Sequence, residues 1–187
     1  MLDYHIAVSR PAFMQEDKLT GAERGTAVHA FLQHAELVGL ENDPQAELER
    51  LKNEGFLTAQ QAAAVSKRDI DGFLSSGIYS SMKGSVRLLR EHRFTVNIPA
   101  SDIDPEYPAE ENVILQGAID CMIFDPDGII IVDYKTDRVK SVSELKDRYA
   151  RQLQLYKKAA DQLFDIPVKK CCIYSIHLAE ETDIPLE

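Results

Sequence analysis

Leu115-Gln116-Gly117-Ala118-Ile119-Asp120-Cys121-Met122-Ile123-Phe124-Asp125-Pro126-Asp127-Gly128-Ile129-Ile130-Ile131-Val132-Asp133-Tyr134-Lys135 is the stretch from which both fold and chemistry follow. Two apolar, β-branched runs flank Asp125-Pro126-Asp127-Gly128, where Pro presets φ at one turn position and Gly tolerates positive φ at another. The pattern predicts a β-hairpin. Folding it about Pro126 and Asp127 sets Asp120 opposite Asp133, so the two carboxylates could share one hard cation. A carboxylate amid apolar neighbours needs such a partner, because burying an unpaired charge is strongly unfavourable. Lys135 follows Asp133 by two residues and emerges on the same face of its strand. Two acids and a lysine suit phosphodiester hydrolysis, in which carboxylates hold Mg²⁺ and an ammonium orients water or stabilises developing charge. Gly128 to Tyr134 is almost wholly apolar and predicts a central strand buried on both faces.

Working outward, Ser141 or Ser143 caps a long helix through Leu145, Tyr149, Leu153, Tyr156, Ala160 and Leu163, and Lys170 to His177 is a last strand. Upstream, Val86 to Ile98 reads as a strand and the acidic, Pro-containing Pro99–Glu111 as a loop. The region before it is helical. Thr20 with Glu23 forms a capping box, and Ala27, Val28, Phe31, Leu32, Ala35 and Val38 recur at helical spacing until Gly39. Asn42-Asp43-Pro44 starts a second helix to about Asn53, Thr58 caps a third through Ala62, Val65, Ile70 and Phe73, and Gly77 begins a short turn near Tyr79–Met82. The expectation is a single α/β domain over 1–187: a helical region at about 19–82, then a β-β-β-α-β core at about 86–178 with a small mixed sheet.

Composition narrows the function classes. The 44% hydrophobic and 28% charged fractions are those of a globular chain. Its longest aliphatic run, Ile129–Val132, is too short to cross a bilayer, and Met1-Leu2-Asp3-Tyr4-His5 lacks the features of a signal peptide, so a cytoplasmic location is expected. Cys121, Cys171 and Cys172 form no C-x-x-C pair and read as buried, inert thiols. No G-x-x-x-x-G-K-[ST] is present, so no P-loop ATPase chemistry is expected of these residues. The net charge of −10, taken as a sum, argues against a nucleic-acid partner, but the sum hides its distribution. Residues 100–133 carry nine acidic and no basic side chains, whereas 134–170 carry ten basic and five acidic ones. Lys135, Arg138, Lys140, Arg148 and Arg151 could line a DNA backbone, as could Lys83, Arg87 and Arg90, although a mixed, solvated surface explains them equally.

Asp120 followed by Asp133-Tyr134-Lys135 resembles the PD-(D/E)XK nuclease signature, with Ile119 in place of the Pro, which contributes no ligand. Gly25-Thr26-Ala27-Val28-His29 resembles the helical His motif of the RecB-like branch, and Gln152-Leu153-Gln154-Leu155-Tyr156 its Q-x-x-x-Y motif. Leu19-Thr20-Gly21-Ala22-Glu23-Arg24-Gly25-Thr26, together with Asp133-Tyr134-Lys135-Thr136-Asp137, is similar to the C-terminal nuclease domain found in AddA of bacterial ATP-dependent helicase–nucleases. The likeness spans roughly residues 10 to 178.

The resemblance implies a restriction-endonuclease-like core (αβββαβ) and Mg²⁺-dependent DNA cleavage of exonuclease type in double-strand break repair and recombination, with Mn²⁺ able to substitute. It implies His29, Asp120, Asp133 and the main-chain carbonyl of Tyr134 as metal ligands, Lys135 as the catalytic lysine, and Gln152 and Tyr156 as positioning groups. Glu91 is similar to an acidic position of the same branch. The implied partners are single-stranded DNA from an attached helicase and an AddB-like protein, the 187 residues then being one domain of a longer protein. Two rivals stand beside this: a catalytically inactive nuclease-fold module that binds DNA or a partner, and an unrelated acidic interaction domain. His29 and Tyr156 also admit a plain core role. On either nuclease-fold reading the acidity implies weak DNA binding without metal or a delivering partner.

Overall fold

The computed structural model describes residues 19–108 and 110–186; the first residues of the likeness, His5 and Glu187 lie outside them. Six helices come first: α1 (Gly21–His34), α2 (Leu37–Asn42), α3 (Pro44–Asn53), α4 (Ala59–Ala64), α5 (Lys67–Leu74) and α6 (Gly77–Gly84). They are followed by β1 (Arg87–Pro99), β2 (Asn112–Asp125), β3 (Gly128–Lys135), α7 (Val142–Leu163), β4 (Val168–Ser175) and β5 (Glu180–Ile184). The five strands form one mixed sheet in the order β1-β2-β3-β4-β5, antiparallel except for β3 and β4, which α7 joins as a parallel crossover.

The hairpin register is the expected one. Cys121 pairs with Val132 and Asp125 with Gly128, a register that carries Asp120 to Asp133. β3 lies third of five and is buried along its whole length up to Lys135. Its side chains alternate between two apolar layers: Ile130, Val132 and Tyr134 join Phe31, Leu51 and Phe73 of the helical region, whereas Ile129 and Ile131 join Leu145 and Leu153 of α7. The adjacent cysteines divide likewise, Cys172 into the first layer and Cys171 into the second. All three thiols are free, and burial pushes them up, Cys121 to about 11 and the other two to about 12. The inert reading holds.

Three local expectations change. The helix read through to Gly39 stops at His34, because Ala35 and Glu36 are extended and the Glu36 N–H donates to Glu47 Oε1 at 2.6 Å. Gly39 lies inside α2, where a Cβ would collide with the Glu47 carboxylate, so its small size serves packing and not termination. The helix read from Thr58 to Phe73 is two, since Ser66 and Asp69 build a second capping box between them. The third change is β5, an added edge strand with three acidic residues in five, which carries no strand signal of its own and forms because β4 offers an open edge. At α7, Ser141 stands at the N-cap but its hydroxyl makes no capping bond; Glu144 accepts the Lys140 N–H instead, at 3.0 Å.

One irregularity positions the site. β1 and β2 pair in constant register on both sides of Glu91 and Asp120, but at that rung both strands switch faces. Arg90 reaches the carbonyls of Gln33 and Ala35 on the helical side, while His92 lies against Phe164 on the α7 side. Likewise Cys121 belongs to the helical-side layer and Ile119 to the other. Glu91 makes the switch with φ of 50°, a conformation uncommon for a residue with a side chain. Beneath this rung, Gly117 lets the Phe94 ring lie flat; a Cβ would stand 2.8 Å from that ring and 3.5 Å from Tyr156. Gly117→Ala should therefore cost about 1–3 kcal/mol in a urea titration, the range for overpacking a filled core.

Candidate active site

Three elements converge at the carboxyl end of β3. α1 supplies His29 on its inner face, started by the expected capping box, in which Thr20 accepts from Glu23 N–H and the Glu23 side chain accepts in return from Thr20 N–H. α1 comes close to β3 because Gly25 has no side chain: a Cβ there would stand 2.7 Å from Thr136 Oγ1. The β1–β2 switch presents Glu91 and Asp120. α7 lays Tyr149, Gln152 and Tyr156, spaced three and four residues apart, along the other side of the β3 end.

The sequence-read residues fall into two groups. On the helical side, His29 Nδ1 lies 3.6 Å from Asp120 Oδ2, and His29, Glu91 and Asp120 each offer a ligand atom within 4.8 Å of the others. Asp120 Oδ2 also accepts the Tyr134 N–H at 2.7 Å, which ties the acid to the strand that carries Asp133. On the α7 side, Asp133 is 2% exposed and its Oδ2 lies 2.7 Å from Lys135 Nζ. That contact is a close, largely buried ion pair. Lys135 donates to Gln152 Oε1 at 3.2 Å, and Gln152 Nε2 donates to the Tyr156 hydroxyl at 2.6 Å. Tyr134 contributes its main chain here; its ring is buried among the helices, with the hydroxyl 4.0 Å from Met82 Sδ.

The electrostatics couple the two groups. Burial, reinforced by the nearby Asp120 charge, pushes the Asp133 carboxyl up to about 6, against the opposing pull of Lys135. Burial alone would lower Lys135, but the Asp133 carboxylate outweighs it and holds the ammonium above its ordinary range. Burial would also lower His29, yet the close approach of Asp120 and the charges of Asp120, Asp133 and Glu91 raise it. The site is short of positive charge. Two carboxylates repel and a third stands beside them, with one lysine against them, which is the chemistry of a donor set that fits a hard divalent cation.

A PD-(D/E)XK nuclease superfamily model matches residues 1–179. The chain belongs to that superfamily. Among curated relatives, the larger protein named as the A component of the ATP-dependent helicase/nuclease of Heliobacterium modesticaldum is 36% identical over 92% of this chain and 13% of that protein. Its Desulforamulus reducens counterpart is 38% identical over 93% of the chain and 14% of the relative, and that of Bacillus licheniformis 36% over 88% and 14%. The chain thus spans 13–14% of the length of these relatives. No helix among the described residues is long and apolar enough to cross a membrane.

The cationic rim expected around the candidate site is thinner than its sequence suggested. Lys83 pairs with Glu41, Arg87 lies over the Phe124 ring, and Arg90 is taken up by helix-end carbonyls. Arg148 pairs with Glu144 and Asp137, and Arg151 donates to the Asp102 carbonyl. Arg138 and Lys140 are exposed and have no charged partner among the described residues. Arg138 lines, with Arg24, Thr136 and the start of α1, a groove of about 640 Å³ beside the β3 end. Sequence reasoning placed Glu91 near the site only by likeness, since strand alternation cannot foresee a face switch. It gave Tyr149 no role beyond the apolar stripe of its helix.

Proposed function

We propose that this chain cleaves DNA phosphodiester bonds with a divalent cation, Mg²⁺ or Mn²⁺, held by Asp120, Asp133, His29 and the Tyr134 carbonyl, with Glu91 as a further ligand. The observation that carries the reading is the convergence of His29, Glu91 and Asp120, whose ligand atoms lie within 4.8 Å of one another, near the end of β3 where Asp133 is buried. A cation bound there would supply a polarising charge for the phosphate and a more acidic water. Lys135, 15% exposed and charged, is placed to stabilise the oxyanion as the bond breaks or to orient the attacking water. Gln152 and Tyr156 hold the lysine by a relay of two hydrogen bonds. On this reading the substrate is single-stranded DNA, degraded from an end in double-strand break repair and recombination, and the helicase in the names of the relatives supports delivery by a motor. An AddB-like partner protein and a cytoplasmic location complete the proposal.

The purified chain should shorten labelled single-stranded oligonucleotides with Mg²⁺ or Mn²⁺ and stop when the metal is chelated; cleavage that survives chelation would overturn the reading. Metal binding should weaken with acid. Lowering pH protonates His29, which is held above its ordinary range, and then, through about 6, Asp133, so both protons compete with the metal. Calorimetric Mn²⁺ titration should give an affinity lower by at least about tenfold near pH 5.5 than near pH 7.5, given two ligands to deprotonate.

A further inference from the structure

We propose that Tyr149 is a positioning residue for Lys135, a role that rests on the nuclease reading above and extends it to a side chain outside the matched motifs. The lysine ammonium lies 4.1 Å from the centroid of the Tyr149 ring, inside the distance at which a cation is drawn to an aromatic face. Its other polar neighbours are Asp133 Oδ2 at 2.7 Å and Gln152 Oε1 at 3.2 Å. The Tyr149 ring is itself fixed, because its hydroxyl donates to Asp137 Oδ1 at 3.1 Å, in the link that follows β3. Arg148 approaches the same Asp137 oxygen at 3.6 Å.

A lysine side chain is a point charge on a stem of four rotatable bonds and has no geometry of its own. Here the two oxygens draw the ammonium toward the carboxylates, and the ring receives it on another side. The rotamer is thereby fixed by contacts of different kinds. The polar contacts of Tyr149 are with Lys135 and Asp137, and it acts through the lysine. The ring matters for this role and the hydroxyl only steadies it.

Steady-state cleavage of single-stranded DNA by the 187-residue chain tests the assignment. Tyr149→Leu and Tyr149→Met, both without a ring, should lower kcat about tenfold, the scale of one partly desolvated cation–π contact. KM for DNA should stay within about twofold, because a group that acts on the chemical step and not on binding moves kcat alone. Tyr149→Phe keeps the ring and should recover most of the rate. In a Lys135→Ala background, Tyr149→Leu should have no further effect on single-turnover cleavage, since residues that act as a unit are not additive. Normal kcat in both ringless variants, equal loss in Tyr149→Phe, a rise in KM with kcat unchanged, or an additive loss in the Lys135→Ala background would each overturn it. Full activity of Lys135→Ala itself would remove the nuclease-site reading, and this proposal with it.

Discussion

Asp120→Asn should abolish cleavage, by at least about a thousandfold given the charge stabilisation a bound cation supplies, and should abolish Mn²⁺ binding by calorimetry. Asp120 is the residue through which the two halves of the site communicate. It accepts the Tyr134 N–H, lies 3.6 Å from His29, and raises Asp133 by its charge. Asparagine keeps an oxygen for the Tyr134 N–H and removes the charge, so the fold should survive while the cation loses its shared ligand. The Asp133 carboxyl should then titrate below about 6, because one cause of its elevation is gone. Asp120→Ala should lose the same activity but also melt earlier, since it leaves a strand N–H without its acceptor. Metal binding undiminished in Asp120→Asn would sink the site.

Lys135→Ala should separate chemistry from binding. Cleavage should fall by about a hundredfold to a thousandfold, the usual cost of removing a donor aimed at developing charge. Mn²⁺ affinity near pH 8 should hold or tighten, because a competing cation 2.7 Å from Asp133 has been removed. In the metal-free protein the same change pushes Asp133 further above its ordinary range, since Lys135 is what opposes its elevation. Opposite signs in rate and in metal affinity distinguish a catalytic lysine from one that merely neutralises a buried acid. A parallel loss of both would favour the second role.

The hairpin was legible because a turn of strong local preference sits between two apolar runs, and fixing its centre fixes every cross-strand pair, Asp120 and Asp133 included. The start of α1 was legible for a similar reason, as Thr20 and Glu23 carry their instruction within four residues. Other features depend on partners distant in the chain. Glu36 leaves the helix for a carboxylate on α3, and Glu180–Ile184 becomes a strand only because β4 is already there. The turn of Glu91 toward His29 is of the same kind, since its φ of 50° is held by the pairing of β1 with β2 before and after it and by helix-end carbonyls bound to Arg90. Gln152 and Tyr156 could be placed on one helix face from their spacing, but their link to Lys135 required the crossover geometry.

The face switch at Glu91 and Asp120 also decides what must be assembled before the protein can act. His29 belongs to the helical side of the sheet and Gln152 to the α7 side, and neither reaches the β3 end unless its own apolar layer is packed. The centre is therefore a coincidence detector for folding: it exists only when two separately cored halves have docked on one strand. Local opening of either half, well short of global unfolding, would disarm the chain. On the proposed function, a site built this way falls silent when damaged, before it could cut without its full complement of restraining contacts.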